Sequence, residues 1–476
     1  MHRTKEPPLY VALANQLAEM IQQGTFRPGE RIPSVRQTCQ QHHVSVPTVV
    51  QAYTVLEDRR LIEARPKSGF YVRAVLPGSA PASFVRRTPQ PKSLAKFPPL
   101  MALAHDVVNP EFARLGGAHP SPDILPGKKL ARLMASLARQ HTDAVTLCDP
   151  APGCARLRVE LSRRALDWGC YLTPDDFLIT NGATEAMFLA LSAVTKPGDT
   201  IIVEAPTHHG VLHIMSQLGL RAVAVPASEA EGIDLDAVER ILSREPIAAI
   251  VVIPNFNNPL GCLMPDANRA RLLALAEAHK TPVIEDDVYG DLHGSGERPR
   301  CLKSLDKDGG VILLGSFSKT LAPGYRVGYL VAGPHHERLL RTKMALNSSN
   351  PLLTALTIAE FLKTGGYEHH LRGLRRLFRE EITRMREAVL AYFPPGTTVT
   401  HPAGGFLLWV GLPGKADALA LFERAREQKI SIAPGHLFSP AAEFRNYIRL
   451  NCAQRWDRRT EDAVRLLGRL AARDAA

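Results

Sequence analysis

The chain has 476 residues, of which 45% are hydrophobic and 22% charged, and this composition excludes a wholly disordered or fibrous protein. At this length we expect one small module and one large unit. No apolar run approaches the roughly 18 residues that a membrane span needs, and the opening residues, MHRTKEPPLY, lack the apolar stretch of a signal peptide. The composition therefore predicts a cytoplasmic globular protein.

The net charge of +11 is concentrated towards the N-terminus. Residues 1–75 hold ten Lys/Arg against six Asp/Glu, and residues 76–100 hold four basic residues and no acidic ones. This end of the chain is the candidate for contact with a polyanion, although a solvated surface with a basic linker would explain the charge equally well. The seven cysteines include no CxxC pair and the histidines show no metal-ligand spacing, so we expect reduced thiols and no metal site.

The stretch from Leu76 to Pro99 is rich in Pro, Ser and Ala and has little periodicity, which is typical of an interdomain linker. We therefore predict an N-terminal domain over 1–75, a linker over 76–100 and a large domain over 101–476. A change to a helix-rich pattern with few strands predicts that a smaller α+β lobe begins near residue 340.

Three helices and a hairpin are predicted ahead of the linker. Apolar residues at helical spacing indicate a helix over 9–23, Ser34 can cap a second helix that ends near residue 43, and Pro47 lies in the first turn of a third over 46–60. The apolar runs LIEA and FYVR then flank the turn RPKSG, as in a β-hairpin. This order predicts a winged helix-turn-helix, in which the third helix enters the major groove of DNA.

The segment PGERIPSVRQTCQQHHVSVPTVVQAYTVLEDRRLIEARPKSGFYV closely resembles the DNA-binding domain of the GntR family of bacterial regulators. The resemblance implies DNA contacts from an arginine just inside the second helix, from the start of the third helix and from the wing tip. The matching residues are Arg36, Ser45, Pro47, Thr48, Lys67, Ser68 and Gly69. Val46 stands where the family frequently has arginine, and it could touch a thymine methyl group or simply pack.

Behind the linker, short β-branched runs alternate with longer segments of helical pattern. Examples of these runs are FLIT, TIIVEAP, RAVAVP, AAIVVIP, TPVIEDD and GVILLGS. This alternation predicts an α/β fold with a mixed, mostly parallel sheet covered by helices.

Within this part of the chain, residues suited to pyridoxal 5′-phosphate (PLP) follow one another. PLP needs a lysine for its aldehyde and a cradle of donors for its phosphate. In SFSKTLAPGYRVGY, Lys319 can reach the aldehyde carbon while Ser316, Ser318 and Arg326 surround the phosphate. In TNGATEA, a strand-to-helix junction offers further phosphate-binding amides, those of Gly182, Ala183 and Thr184.

An acid and a phenol follow the predicted strand VIED, at the edge where open α/β sheets bind ligands. Asp286 would pair with the protonated pyridine nitrogen of PLP, and Tyr289 would donate to its ring oxygen.

These segments, in this order and spacing, resemble fold-type I, class I/II aminotransferases. The resemblance implies that Asn258 shares the ring oxygen, that His208 takes the place of the aromatic ring that usually stacks on PLP, and that Arg449 and Gly117 bind the substrate carboxylate. Cys148 stands about where the family has a tyrosine that reaches the neighbouring subunit's phosphate. His208 and Cys148 argue mildly for weakened turnover.

A GntR-type winged helix joined to an aminotransferase-like domain resembles the MocR subfamily of bacterial transcriptional regulators. The resemblance implies a homodimer, a double-stranded DNA operator, and an effector that is an amino acid or PLP itself. One alternative is a working aminotransferase that moves an amino group between an amino acid and a 2-oxo acid, since every catalytic position is filled. A second is a cofactor sensor whose signal is PLP.

Overall fold

A computed structural model of the chain describes residues 8–22, 25–26, 29–42, 44–58, 61–65, 68–72, 90–93, 98–441 and 443–475. The chain divides into two compact units, Met1–Gly78 and Ser79–Ala476. Most of the predicted linker lies outside the described residues.

The first unit consists of three helices and an antiparallel hairpin, as the sequence predicts. Its elements are α1 (Leu9–Gln22), α2 (Val35–His42), α3 (Val46–Asp58), β1 (Ile62–Arg65) and β2 (Gly69–Val72).

The core of this unit is built around α3. Val49 and Leu56 are fully buried against Leu13 and Leu17 of α1. Tyr53 is also buried, and its hydroxyl lies 2.6 Å from both the carbonyl oxygen of Pro33 and Oγ1 of Thr38. This tyrosine therefore fixes α2 against α3, the two helices of the helix-turn-helix.

The second unit is built on a central sheet flanked by helices. Its strands are β3 (Lys92–Ser93), β4 (Ala113–Arg114), β5 (Asp149–Pro150), β6 (Phe177–Thr180), β7 (Thr200–Ala205), β8 (Arg221–Ser228), β9 (Gly232–Ile233), β10 (Ala249–Val252), β11 (Val283–Asp286), β12 (Val311–Ser316), β13 (Gly328–Val331), β14 (Ser349–Asn350), β15 (Thr398–Val399), β16 (Leu407–Gly411), β17 (Ile430–Ser431), β18 (Ala433–Pro434) and β19 (Tyr447–Asn451).

The helices of the second unit alternate with these strands. They are α4 (Pro98–Val108), α5 (Gly127–Gln140), α6 (Ala155–Ala165), α7 (Ala183–Val194), α8 (His209–Gln217), α9 (Leu235–Leu242), α10 (Asp266–Ala278), α11 (His336–Leu346), α12 (Leu352–Lys363), α13 (Gly366–Tyr392), α14 (Ala418–Glu427) and α15 (Arg458–Ala475). None of the helices in the described part of the chain combines the length and apolar character that a membrane crossing requires.

The central sheet has the order β3-β8-β7-β10-β11-β12-β13-β6, with β9 paired to β8. Strands β8, β7, β10, β11 and β12 are parallel, whereas β13, β6, β3 and β9 pair antiparallel with their neighbours. Every residue of β7, β10, β11 and β12 is buried, as expected for strands covered on both faces. The carboxyl ends of these strands therefore meet at one edge of the sheet.

A smaller lobe forms around a second sheet, of order β15-β16-β19-β18. It also contains residues 98–115, because β4 pairs with β17, and Leu103 of α4 and Leu115 belong to the same hydrophobic cluster as β16 and β19. The sequence pattern placed this lobe only after about residue 340. The contribution of residues 98–115 depends on contacts between distant parts of the chain, which periodicity does not reveal.

Candidate cofactor site and DNA-binding surface

A cavity opens at the carboxyl ends of the parallel strands. It brings together ten of the residues predicted from the sequence, which are Ala183, Thr184, His208, Asn258, Asp286, Tyr289, Ser316, Ser318, Lys319 and Arg326. Its lining residues do not include Gly182, Gly117 or Arg449. Arg449 nevertheless donates a hydrogen bond to Asn258, which lines the cavity.

One end of the cavity forms a cradle for an anion. Ser316 ends β12, and its hydroxyl accepts from the amide of Ser318 at 3.1 Å and donates to the hydroxyl of that residue at 2.9 Å. Arg326, in the left-handed region at φ 52°, directs Nη1 towards the Ser318 hydroxyl at 3.4 Å. Its guanidinium packs on Gly182, the residue before α7, where a Cβ atom would lie 2.5 Å from Nη2.

This cradle fits the phosphate of PLP. Two hydroxyls, one guanidinium and the N-terminus of α7 converge, and each is a donor or carries positive charge. Only glycine leaves room for the guanidinium beside the start of the helix.

Lys319 lies next to the cradle, in a 3₁₀ turn that follows β12. Its Nζ donates to the carbonyl oxygen of Ala118 at 2.7 Å. Burial, assisted by the positive charge of Arg449, lowers the pKa of the Lys319 amine to about 7. A substantial fraction of the amine is therefore neutral at physiological pH, as attack on an aldehyde requires.

Asp286 is the last residue of β11 and also lines the cavity. Burial raises the pKa of its carboxyl group to about 7, while the amide of Val288, which donates to Oδ1 at 3.3 Å, and the charge of Lys319 act in the other direction. A cationic pyridine nitrogen would supply the partner that this buried carboxylate needs in order to ionise.

Asn258, Tyr289 and Arg449 form one hydrogen-bonded group. Nδ2 of Asn258 donates to the Tyr289 hydroxyl at 3.3 Å, and Arg449 donates from Nη1 to Oδ1 of Asn258 at 3.1 Å and from Nη2 to the carbonyl oxygen of Gly116 at 2.7 Å. Nε of Arg449 is buried and has no hydrogen-bond partner among the described residues. Burial lowers the pKa of Arg449 to about 10, so a carboxylate ligand would relieve an incompletely solvated cation.

Two imidazoles also line the cavity. One is His208, which the resemblance predicts to stack on PLP, and its ring lies 4.6 Å from that of His209. Burial lowers the pKa of His208 to about 3, and the charge of Lys319, followed by burial, lowers the pKa of His119 to about 3. Both rings are therefore neutral. No role was predicted for His119 from the sequence, where its one signal is its position two residues after Gly117.

A buried charge cluster fixes the segment that follows Asp286. Asp287 pairs with Arg298 and accepts from Asn255, while Asp291 accepts from Arg298 at 2.6 Å and from Arg164 at 3.1 Å. Although burial acts in the opposite direction, the two guanidinium groups hold the pKa of Asp291 well below its usual range. The cluster thus remains charged and fixes the chain beside the cavity.

The first unit presents the predicted DNA-contacting residues of its helices at the surface. Ser45 and Pro47 at the start of α3 and Arg36 on α2 are exposed, and Thr48 is half-buried with Oγ1 2.8 Å from Oγ of Ser45. Val46 is 53% exposed, so it does not pack into the core and is available to a ligand.

The hairpin presents part of the predicted wing tip. Ser68 is exposed, with its hydroxyl 2.7 Å from that of Tyr71, and Gly69 adopts a φ of +110° that favours glycine. Lys67 lies outside the described residues. Within the described ranges of the chain, no group of three or more His, Cys, Asp or Glu side chains is placed to hold a metal ion.

Family profiles match both units. The profile "Aminotransferase class I and II" matches residues 127–467, and "Bacterial regulatory proteins, gntR family" matches residues 9–72. The uncharacterized HTH-type transcriptional regulators YjiR and YdcR of Escherichia coli (strain K12) are 36% and 37% identical over 96% and 97% of this chain and 98% of their own length. The 2-aminoadipate transaminase of Thermus thermophilus is 33% identical over 76% of this chain and 90% of its own.

Solved structures match the second unit. LysN, an α-aminoadipate aminotransferase from Thermus thermophilus complexed with N-(5′-phosphopyridoxyl)-L-leucine, has a TM-score of 0.72 and 32% identity over 78% of this chain and 96% of that one. Kynurenine aminotransferase from Pyrococcus horikoshii has a TM-score of 0.75 and 26% identity over 80% and 96%. The chain therefore belongs to the PLP-dependent class I and II aminotransferase family and, with its GntR-type DNA-binding domain, has the architecture of the MocR-type transcriptional regulators.

Proposed function

We propose that the protein regulates transcription by binding DNA through residues 1–75 and by sensing an amino-acid effector at PLP held on Lys319. The observation that carries this proposal is the buried amine of Lys319, half neutral near pH 7, beside an anion cradle in a chain that also has a helix-turn-helix. We propose 76–100 as the linker and 101–476 as the sensing domain. A regulator of this kind acts where the chromosome is, which in a bacterium is the cytoplasm.

Different residues of the cavity would bind different parts of the cofactor. PLP supplies an aldehyde that amines can attack and a ring that accepts electrons. Ser316, Ser318, Arg326 and the amides of Gly182 to Thr184 bind its phosphate. Lys319 would supply the amine that bonds to the aldehyde carbon.

Other residues orient the ring and control its protonation. Asp286 would keep a proton on the pyridine nitrogen by pairing with it. Asn258 and Tyr289 would hold the ring oxygen, and the neutral ring of His208 would pack on the cofactor ring.

The effector needs both an amino group and a carboxylate. Its amine would replace that of Lys319, and its carboxylate would bind Arg449, whose Nε has no partner among the described residues, with Gly117 beside this site. Such an effector changes DNA binding only if its affinity differs between two arrangements of the protein. We propose that closure of the smaller lobe over the effector distinguishes these arrangements.

For DNA, we propose that Arg36, Ser45, Pro47 and Thr48 contact an operator in its major groove. The wing residues Lys67, Ser68 and Gly69 would reach the phosphates or the minor groove.

We further propose a homodimer. Four exposed apolar side chains lie close in sequence to the paired strands β5 and β14, and they are Val145, Leu147, Met344 and Leu346. Exposed apolar residues concentrated in this way are typical of an association surface. In sedimentation experiments the wild-type protein should be a dimer, and Leu147→Glu should shift it towards monomer. A wild-type monomer at micromolar concentration would contradict the proposal.

The main test measures binding of the full-length protein to DNA from upstream of its own gene, with and without PLP and a panel of amino acids. We expect one amino acid to change the DNA affinity of the PLP-loaded protein and to leave that of Lys319→Ala unchanged. A Lys319→Ala protein that responds normally would contradict the mechanism. A response to PLP alone would identify the cofactor as the signal.

A working aminotransferase is the second candidate, because every catalytic position is occupied by a suitable residue and one relative at 33% identity is named a transaminase. The protein would be incubated with an amino acid and a 2-oxo acid while the absorption of the bound cofactor is followed. Continuous formation of a new amino acid would establish this activity. A spectral change without sustained product would support the sensor.

A further inference from the structure

A lysine outside the cavity is completely buried. Lys343 of α11 is 0% exposed, and its Nζ donates to Oε1 of Glu185, Oδ1 of Asn347 and Oδ1 of Asn350, each at 3.0 Å. Lysine is seldom buried to this degree. Three acceptors use all three ammonium protons, so the cation is held in one place.

The ion pair of Lys343 leads to the anion cradle through a chain of hydrogen bonds. Glu185 lies in the first turn of α7, and its Oε2 accepts from the amide of Asn181. The carbonyl oxygen of Asn181 in turn accepts from Nη2 of Arg326 at 3.1 Å. Lys343, Glu185, Asn181 and Arg326 therefore form a continuous series that ends at a donor of the cradle.

A carboxylate in the first turn of α7 has two opposite effects. It is favourably placed in the field of the helix N-terminus, but a bound phosphate needs the same field and the same amide groups. Glu185 directly follows Thr184, whose amide is predicted to bind the phosphate. Without a compensating cation, the negative charge of Glu185 would therefore repel the phosphate. The Lys343 ammonium cancels this charge.

We propose that Lys343 is a positioning residue for the phosphate of the cofactor. Lys343 neutralises the charge of Glu185 and keeps its carboxylate hydrogen-bonded to the amide of Asn181. Arg326 and the first amides of α7 then remain available to the phosphate. This inference rests on the proposed binding of PLP at Lys319.

The test compares PLP with pyridoxal, which has the same ring and aldehyde but no phosphate. Full-length apoproteins are titrated with each compound and the dissociation constants are taken from the absorption of the bound form. We expect Lys343→Met to weaken PLP binding by about tenfold or more and pyridoxal binding by less than about twofold, because only PLP brings a negative charge near the carboxylate of Glu185 once its cation is removed.

Two further variants separate charge from folding. Glu185→Gln/Lys343→Met should bind PLP within about threefold of wild type, since both members of the pair lose their charge. Glu185→Gln removes the carboxylate charge but leaves one amide oxygen, which can accept from either Asn181 or Lys343. Because the repulsive charge is gone, the folded variant should bind PLP at least as tightly as wild type, and this test remains available even if Lys343→Met does not fold. Lys303→Met is a matched control, because Lys303 is 11% exposed and pairs with Asp306 at 2.8 Å but does not line the cavity.

The proposal is overturned if Lys343→Met binds PLP like wild type, if it loses PLP and pyridoxal equally, or if Glu185→Gln weakens PLP binding. A wild-type protein that binds no PLP would instead refute the proposed function itself. The two failures are therefore distinguishable.

Discussion

Arg449 and Asn258 are joined by a hydrogen bond of 3.1 Å from Nη1 to Oδ1, and both side chains are almost completely buried. Asn258 is also bonded to the hydroxyl of Tyr289. The group that we expect to bind an effector carboxylate is thus in direct contact with the groups that we expect to hold the ring oxygen of the cofactor. We therefore expect binding of the effector carboxylate and orientation of the cofactor ring to be coupled through Asn258.

Arg449→Gln should separate these two roles. Glutamine is uncharged and lacks the paired guanidinium donors that suit a carboxylate. We expect effector affinity to fall about 10- to 100-fold, the range for a lost hydrogen bond to a charged group, with PLP affinity nearly unchanged. The absorption of the bound cofactor reports both affinities.

Arg386→Gln is the control for this measurement. Arg386 is also a largely buried arginine, but it donates to the carbonyl oxygen of Thr400 rather than into the cofactor site. An equal loss of effector affinity in both variants would contradict the role given to Arg449.

The rate at which apoprotein combines with PLP should depend on the protonation of Lys319. Because burial and the charges of Arg449 and Arg326 lower the pKa of this amine to about 7, against the opposing effect of Asp286, the neutral form increases as pH rises through 7. We expect the rate to rise from pH 6 and to level off above about pH 8. Stopped-flow absorption measures it, with N-acetyl-lysine amide as the reference for an amine of ordinary pKa.

Arg449→Gln should move the midpoint of this profile to higher pH. The substitution removes a positive charge that disfavours the ammonium form of Lys319. A profile centred near pH 10 in the wild type, or one that Arg449→Gln leaves in place, would contradict the assignment.

The sequence predicted the elements and residues whose signals are local. The helices and hairpin of the first unit follow from apolar spacing and capping, and the run of buried strands follows from its β-branched residues. Ser316, Ser318, Lys319 and Arg326 could be found together because they lie within eleven residues of one another along the chain. Their geometry depends mainly on one strand end and the turns behind it.

Groups formed by distant residues could not be predicted in this way. Lys343 and Glu185 are 158 positions apart, and nothing in the pattern around either residue indicates that they pair. For the same reason, the sequence pattern did not predict that α4 belongs to the smaller lobe or that His119 lies beside Lys319. In each case the relevant contact arises only when the sheet has assembled.

Asp291→Asn should strongly destabilise the second unit. Asp291 pairs with Arg164 and Arg298, whose side chains are 11% and 8% exposed. Without the negative charge of Asp291, the positive charges of these two buried guanidinium groups are no longer sufficiently balanced. Breaking a buried pair of this kind costs about 3–5 kcal/mol. Urea unfolding of the full-length protein at pH 7 should reveal the loss in the transition of this unit.

Asp175→Asn is the matched control. Asp175 accepts from Arg158 at 2.9 Å but is 93% exposed, so its loss should cost less than about 1 kcal/mol. Similar costs for the two substitutions would contradict the view that burial of the Asp291 cluster stabilises the site.

Arg36→Ala tests the DNA-binding surface of the first unit. An exposed arginine that contacts a phosphate adds about one unit to the slope of log affinity against log salt concentration. We expect the variant to bind operator DNA about tenfold more weakly and to lose about one unit of this slope. Arg372→Ala, which removes an exposed arginine of α13, should change neither quantity if DNA is bound by the first unit alone.

Val46→Arg provides the opposite change at the same surface. Because Val46 is 53% exposed at the start of α3, an arginine fits there without disturbing the core. We expect tighter binding and a slope larger by about one unit if the new side chain reaches a phosphate. If Val46 contacts a thymine methyl group instead, Val46→Arg should bind DNA more weakly, and only where the operator has a thymine at one particular position. An unchanged affinity and slope for both Arg36→Ala and Val46→Arg would mean that α2 and α3 do not face the DNA.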